Sequence, residues 1–507
     1  MASIILTTIN ARFIHASLGL RYLHANLGDL RDQATLIEFE NSQSAKEIVE
    51  VIVAHAPKLV GFGVYIWNVS RTREVVSLLK RLNPEIVIVI GGPEVSYEYE
   101  ETPLFQLSDY LITGEADKAF SELAAQVVAG HPPQQKVIQG GLPALAELEL
   151  PYSLYSDKDV AHRVIYVEVS RGCPFTCEFC LSSVDIPVRQ FDHIKVLAEI
   201  DALYKRGARS FKFIDRTFNL NIRVATDILR FFLDRMEPGL FVHFEMVPDR
   251  FPDKLRDVVS QFPPGALQLE IGVQTLNPHV GELIRRRQNV DALFDNLSYL
   301  RNHTAAYLHV DLIVGLPGED LASFGAGFDR LVAIDPHEIQ VGILKRLRGT
   351  PIARHSEAFS MRFSEDPPYE VISTQDVSFA EMRRMERFSR YWDVVANSGN
   401  FRDSRALLWR DGDSPWRLFM EFSDWLYARV GRSSSIELKA LTDHVFEFLT
   451  HVRKLDPQEV GQCLAADYQR GGRNDLPVSL RPFSVSSREQ VVPRGGAAKR
   501  QQRVIGT

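Results

Sequence analysis

The sequence predicts an α/β protein in three parts: an N-terminal doubly wound parallel sheet, a central partial (β/α)6 barrel and a C-terminal α-helical domain. Three observations carry this expectation. Short apolar runs of strand composition alternate with segments of helical period from Ser3 to Leu344. Three of the four cysteines fall within Cys173–Cys180, directly after one such run. From Ser378 onward the apolar residues recur at helical spacing.

At 507 residues the chain has room for about three domains. The expected limits are residues 1–135 for the first sheet, 136–160 for a connector, 161–365 for the barrel, 366–483 for the helical domain and 484–507 for a disordered tail. Hydrophobic content of 45% and charged content of 24% are ordinary for a soluble globular protein, and a formal charge of -7 argues against a general nucleic-acid-binding surface. Apolar runs such as Ile86–Ile90 are too short to span a bilayer, and Met1–Ile9 lacks the basic start and long apolar stretch of a secretion signal. The expectation is a cytoplasmic protein with no membrane partner. Four cysteines, three of them clustered, are no disulfide framework and suit a reducing compartment.

In the first part, strands are expected at Ser3–Ile9, Ala34–Phe39, Leu59–Val64, Glu85–Ile90 and Tyr110–Thr113. Each crossover is long enough for a helix. Leu20, Leu23 and Leu27 share one helical face, and Val75, Leu78, Leu79 and Leu82 another, with Ser70 placed as its cap. Ligands of such sheets bind beyond the carboxyl ends of the strands. That rule selects Asn10–Gly19, Tyr65–Asn68, Gly91–Glu94 and Gly114-Glu115. In the connector, Pro132-Pro133, Gly140-Gly141, Pro143 and Pro151 break any continuous element.

The barrel begins with Val164–Val169, and Cys173, Cys177 and Cys180 follow on a loop with C-x3-C-x2-C spacing. Three thiolates so spaced can wrap one face of an iron-sulfur cube and leave its fourth iron without a protein ligand. The competing readings are a zinc site or three structural thiols. A structural zinc takes four protein ligands, and no nearby His or Cys supplies the fourth. Five more strands are expected at Ser210–Ile214, Leu240–Met246, Ala266–Val273, Tyr307–Val314 and Glu338–Leu344. Chemistry in such barrels gathers at strand C-terminal ends. Those ends carry Asp215, Glu245, Glu270 with Gly272 and Gln274, Gly315–Glu319, and Lys345–Pro351. Three acids closing three apolar strands would be costly without a role in the site. No phosphate loop, H-E-x-x-H helix or G-x-S-x-G elbow competes.

The run Ser170-Arg171-Gly172-Cys173-Pro174-Phe175-Thr176-Cys177-Glu178-Phe179-Cys180 resembles the radical S-adenosylmethionine (SAM) enzymes. The resemblance implies a [4Fe-4S] cluster on Cys173, Cys177 and Cys180, with SAM chelated by the open iron and cleaved to a 5'-deoxyadenosyl radical. It places Phe179 beside the adenine, Asp215 beside the SAM amino acid, Gly272 and Gln274 in a turn approaching SAM, and Gly315 and Pro317 near the adenine. Glu245 and Glu270 join these as candidate cofactor-binding residues at strand ends. The first part, with its Gly-Gly-Pro and Gly-Glu turns, resembles the cobalamin-binding domain that precedes many radical SAM cores. That implies a corrinoid crevice with Tyr65, Trp67, Gly91, Gly92, Gly114 and Glu115 as candidate contacts. The D-x-H-x-x-G signature of domains that ligate cobalt through histidine is absent: His15 lies near the place, Asp is missing, and Gly19 falls one position late.

The leading functional expectation is cobalamin-dependent methylation of an unreactive carbon in a small-molecule or still unidentified substrate, served by a reductant protein such as flavodoxin or ferredoxin. A cobalamin-dependent radical cyclisation or rearrangement enzyme, and a non-catalytic cluster- or corrinoid-binding sensor, remain open. Ser378 with Glu381 is a capping box opening a helix whose Met382, Met385, Phe388, Trp392 and Val395 turn inward. Cys463 reads as a small buried hydrophobe.

Overall fold

The computed structural model describes residues 3–184, 187–412, 414–483 and 501. The tail expected over 484–507 lies outside them apart from Gln501. The chain divides into two compact units, Met1–Arg216 with Lys345–Ala353 and Ser364–Glu370, and Thr217–Leu344 with Arg354–Phe363 and Val371–Thr507.

The first unit holds a parallel sheet of β1 (Ile4–Asn10), β2 (Ala34–Glu40), β3 (Leu59–Gly63), β4 (Val87–Gly91), β5 (Tyr110–Thr113) and β6 (Val137–Gln139), in the order β2-β1-β3-β4-β5-β6. All seven residues of β1 are buried, as a parallel strand covered on both faces requires. The helices are α1 (Leu18–Ala25), α2 (Ala45–Ala54), α3 (Val69–Leu82), α4 (Pro103–Leu107) and α5 (Asp117–Val128). Ile5, Ile9, Val60, Phe62, Ile88 and Ile90 form one core with Ile48, Ile52, Val75 and Leu79 of α2 and α3. Ile4, Leu6, Leu59 and Val89 form the other with Leu20, Phe120, Leu123 and Val127 of α1 and α5. The sheet is thus doubly wound, and its order reverses at β1, which places the ligand crevice beyond the ends of β1 and β3.

Two details differ from the sequence expectation. The strand β6 lies inside the expected connector, because Val137-Ile138-Gln139 pairs with Leu111–Thr113 between the proline and glycine breaks. Ser70 is not the cap of α3: the helix starts at Val69 and Asn68 precedes it, so Ser70 lies within the first turn.

The same unit contains α6 (Asp157–His162), β7 (Ile165–Val167), β8 (Ser170–Arg171), β9 (Arg189–Gln190), α7 (His193–Lys205) and β10 (Ser210–Phe213). β7 pairs with β10 in parallel, and β8 pairs with β9 antiparallel, so the cysteine loop leaves one strand of a short clasp and returns near the other.

In the second unit β11 (Phe241–Met246), β12 (Leu267–Gln274), β13 (Tyr307–Val314) and β14 (Glu338–Ile343) run parallel in sequence order. They alternate with α8 (Ile222–Leu233), α9 (Asp253–Val259), α10 (Pro278–Leu283), α11 (Val290–His303) and α12 (Leu321–Ile334). All six strands expected of the partial barrel are therefore present, each within three residues of its expected limits. A short ribbon, β15 (Arg362–Phe363) with β16 (Val371–Ser373), precedes α13 (Phe379–Val395), α14 (Pro415–Val430), α15 (Leu438–Glu447) and α16 (Pro457–Arg470).

The capping box at Ser378 and Glu381 starts α13 as expected, and Met382, Met385, Phe388, Trp392 and Val395 are buried. Asn397, just past α13, exchanges hydrogen bonds with the main chain of Ile339 at 3.1 and 2.9 Å, which seats this helix beside β14. Phe328 of α12, Phe388 and Trp392 of α13, and Trp416 and Phe419 at α14 pack edge to face, with centroids 4.7–5.9 Å apart for the contacts of Phe328. Gly325 is required there, since a Cβ would lie 2.4 Å from the Trp416 ring. Cys463 is partly buried, and burial pushes its thiol up to about 12.

Candidate functional site

The crevice of the first unit is built at the ends of β3, β4 and β5. Tyr65 and Trp67 stack with centroids 4.5 Å apart and planes 4° apart, and Trp67 remains 47% exposed. The Trp67 indole donates to the Ile9 carbonyl at 3.2 Å, which fixes an exposed aromatic face at the switch point of the sheet. Asn68, fully buried, accepts from the Tyr65 amide at 2.8 Å and donates to Thr8, Ile9 and Gly63 oxygens at 3.1 Å. Sequence reasoning included this residue in the loop after β3 but gave it no role of its own. Gly91 ends β4, and Gly92 has φ +111 with a would-be Cβ 2.5 Å from the Val64 carbonyl, so only glycine brings these two loops together. Gly114, at φ +72, turns the chain out of β5.

Glu115 stands at the same rim, but its carboxylate is engaged within the protein. It accepts from Arg189 and, at 2.8 Å, from Arg171. Arg171 also reaches Asp117 at 2.8 Å and Glu168 at 2.9 Å, and lies over the Tyr22 ring at 4.7 Å. Burial works against the Arg171 charge, and Glu168, Asp117 and Glu115 more than offset it, so its affinity for the proton is raised. Since Arg171 stands two residues before Cys173, this cluster ties the crevice rim to the cysteine loop. His15 is also committed: its Nδ1 lies 2.6 Å from the Tyr166 hydroxyl on β7. Its pKa is lowered by burial and by Arg12 and Lys212.

The cysteine loop starts at Gly172, whose φ of +92 turns the chain out of β8. Cys173 and Cys177 are buried, Cys180 and Phe179 partly so. The Cys180 amide donates to the Cys177 carbonyl at 3.1 Å, and Ser183 donates through amide and hydroxyl to the Cys180 carbonyl at 3.2 and 2.7 Å. Asp215, just past β10, is 1% exposed. Its carboxylate accepts from the Val169 amide at 3.1 and 3.2 Å and from the Ser170 hydroxyl at 2.5 Å, so it fastens the strand that feeds the loop. Burial pushes its pKa up to about 7 against these hydrogen bonds. Among the described residues no trio of His, Cys, Asp or Glu is gathered tightly enough for a single metal ion. A cube asks for one thiolate per iron rather than convergence on one atom.

In the second unit the polar alternates of β11–β14 share one face. Glu245 lies opposite Glu270, Glu270 opposite His309, and His309 opposite Glu338. The His243 Nε2 is 2.8 Å from Glu270, and His309 is 3.0 Å from Asp311 and 3.8 Å from Glu338. Burial disfavours the charged imidazole, yet Asp311, Glu338 and Glu270 hold the His309 pKa up at about 9. Glu245 closes β11 as expected, whereas Glu270 lies in the middle of β12, because that strand runs on to Gln274. Gly272 and Gln274 flank a bulge in the β12–β13 pairing, with Gln274 at φ +69. Arg286 holds the bulge through the carbonyls of Gly272 and Val273, and Gln288 through those of Val273 and Thr275. Gly315 has φ +85, and the space of its missing side chain is taken by Val371 and Met382 at 2.6 and 3.0 Å. Pro317 is buried. Thr275 donates to Glu319 at 2.6 Å, and burial raises the Glu319 pKa to about 7.

A doubly wound domain is followed by parallel βα strands, of which the first leads into a three-cysteine loop. Comparison with known families assigns a domain to each part. The B12 binding domain family matches residues 4–124, the radical SAM superfamily residues 167–330, and a protein family of unknown function, DUF4080, residues 357–491. The chain thus carries a B12-binding domain followed by a radical SAM domain.

An uncharacterized methyltransferase of Pyrococcus horikoshii is 26% identical over 280 residues, 49% of this chain and 59% of the relative. The cobalamin-dependent radical SAM methyltransferase TokK of Streptomyces tokunonensis is 26% identical over 331 residues, 57% of this chain and 47% of the relative. The chain thus spans about half the length of the curated relatives it matches. Among solved structures, the cobalamin-dependent SAM radical enzyme OxsB with aqua-cobalamin and SAM bound covers 92% of this chain, with 79% of that chain covered, a TM-score of 0.63 and 13% identity. The radical SAM methyltransferase TsrM from Kitasatospora setae covers 73% of this chain, with 80% of that chain covered, a TM-score of 0.57 and 17% identity. These likenesses define the fold. Among the described residues no helix is long and apolar enough to cross a membrane.

Proposed function

We propose that the chain holds a [4Fe-4S] cluster on Cys173, Cys177 and Cys180, SAM beside that cluster and a corrinoid over the Trp67 face, and that it methylates an unreactive carbon of a small molecule. The observation that carries this reading is the union, in one compact unit, of a three-thiol loop and a doubly wound crevice through the Arg171 ion cluster. When bound, these groups supply an electron for the reductive cleavage of SAM and a carrier for the methyl group.

The residues present fit both groups. Three thiols on a turned, partly buried loop suit the cluster, and an exposed aromatic face on the loop after β3, whose Val64 packs on Gly92, suits a flat macrocycle. The Nδ1 of His15 is held by the Tyr166 hydroxyl, and the D-x-H-x-x-G signature is absent around it, so His15 is not proposed as a cobalt ligand. The chain's own part is positional. Asp215 fastens the cysteine strand, Arg171 sets the crevice rim against it, and the bulge held by Arg286 presents the Gly272 backbone at the end of β12. Glu245 and Glu270 offer carboxylates for a bound polar group on the face they share. A flavodoxin or ferredoxin is the proposed reductant, and the cytoplasm the proposed compartment.

Anaerobic reconstitution with iron and sulfide, followed by dithionite and SAM, tests the reading. Wild-type protein is expected to accumulate 5'-deoxyadenosine and Cys177→Ala none; equal amounts from both would overturn it. A protein that acts only as a sensor would bind the cluster and SAM without releasing the nucleoside.

A further inference from the structure

We propose that residues Lys345–Ala353 form a positioning strap that holds the rim of the corrinoid crevice against the cysteine loop, with Arg348 as its main side chain, so that corrinoid and cluster each favour binding of the other. The inference rests on the reading above, that the first unit takes both groups.

The strap follows β14 in sequence, at the strand end noted as Lys345–Pro351. It belongs to the first unit and turns toward the loop after β4. Arg348 donates from Nε to the Glu94 carboxylate at 3.2 Å and from Nη1 to the Glu98 carbonyl at 2.7 Å. Arg346 reaches the Glu98 carboxylate at 2.8 Å, and the Gly349 amide reaches it at 3.2 Å. The Tyr369 hydroxyl completes the node: it donates to Glu94 at 2.5 Å and accepts from Arg348 at 3.3 Å. Glu94 is 5% exposed and stands two residues after Gly92 on the crevice rim. Gly349, at φ +79, lies so close to Tyr97 that a Cβ would be 2.3 Å from the ring.

At its other end the strap enters the cysteine loop. The amide of Ile352, a fully buried residue, donates to the carbonyl of Glu178 at 3.0 Å, and Glu178 stands between Cys177 and Phe179. Gly349 and Ile352 are three residues apart, so roughly 11 Å of chain at most separates the two anchors. A link this short cannot absorb a shift of the β4 loop without moving the cysteine loop. Ordering either end by a ligand therefore lowers the cost of ordering the other, and the effect is reciprocal.

The test measures this coupling without turnover. Hydroxocobalamin is titrated, by its absorbance, into full-length protein carrying the reconstituted cluster and into the same protein stripped of iron by a chelator. Wild-type affinity is expected to rise at least about fivefold with the cluster in place, the low end of ordinary coupling between sites. In Arg348→Met, which keeps the aliphatic stem, the ratio should fall toward one, and Arg348→Lys should restore part of it. Glu98→Gln, on an exposed side chain, repeats the test should Arg348→Met fail to fold. A wild-type ratio near one, or an undiminished ratio in the variants, overturns the strap. Cluster uptake with no hydroxocobalamin binding at all would instead remove the crevice reading, and the strap with it.

Discussion

Replacing Arg171 by Met removes one buried guanidinium from three carboxylates while leaving its packing volume over Tyr22 nearly filled. The Arg171 side chain is 12% exposed, and those of Glu168, Glu115 and Asp117 are 9%, 14% and 6% exposed. Arg189 still serves Glu115, so the variant strands chiefly Glu168 and Asp117. Breaking a buried ion pair from one side costs about 3–5 kcal/mol, and the losses at the two acids do not add, because both belong to one network. Glu168 sets the pH dependence. Burial already raises the Glu168 pKa, and Arg171 is among the groups that pull it back. Without Arg171 the folded pKa of Glu168 rises further above its unfolded value near 4.

A group shifted upward in the folded state adds stability below its unfolded pKa and loses it as pH rises through the folded one. The Arg171→Met deficit should therefore be largest near pH 8 and shrink toward pH 5. Urea melts at both pH values, with this unit followed by hydrogen exchange in peptides spanning residues 164–172, measure it. A deficit below about 1 kcal/mol at pH 8, or one equal at both pH values, would refute the argument that burial makes these charges costly.

Gly92→Ala places a Cβ 2.5 Å from the Val64 carbonyl at φ +111. It should cost about 2 kcal/mol or more in stability, and equilibrium dialysis should show hydroxocobalamin uptake lost. His309→Gln removes an imidazolium held at about 9 by Asp311, Glu338 and Glu270. Because that pKa stands above the unfolded value near 6.5, its stabilisation is fully present below pH 6.5 and disappears as pH rises through 9. The gap between wild type and variant, about 1–3 kcal/mol at pH 6, should close by about pH 10 in urea melts; a gap independent of pH would contradict the assignment.

The elements that sequence reading located best are those whose signal is local. Strand limits in both parallel sets follow from apolar runs bounded by Gly, Pro and Asn, and the start of α13 follows from Ser378 and Glu381. The cysteine loop was apparent because three thiols and a turn-forming glycine are contiguous. Glu270 was grouped with the strand-end acids although the expected strand ran on to Val273; the structure extends β12 to Gln274 through the bulge and leaves Glu270 mid-strand. Asn68 was read only as part of a loop, and Ser70 was chosen as the cap on residue type alone.

By itself the sequence determined the α/β architecture, the helical end and the three-thiol loop, since each depends on periodicity or on neighbours a few residues apart. Only the tertiary structure decided where the charges go. Arg171 meets Glu115 across 56 positions, and Arg348 meets Glu94 across 254. Charged side chains carry no periodic signal that names a partner, and such pairs take on their energetic weight only when folding removes both members from water.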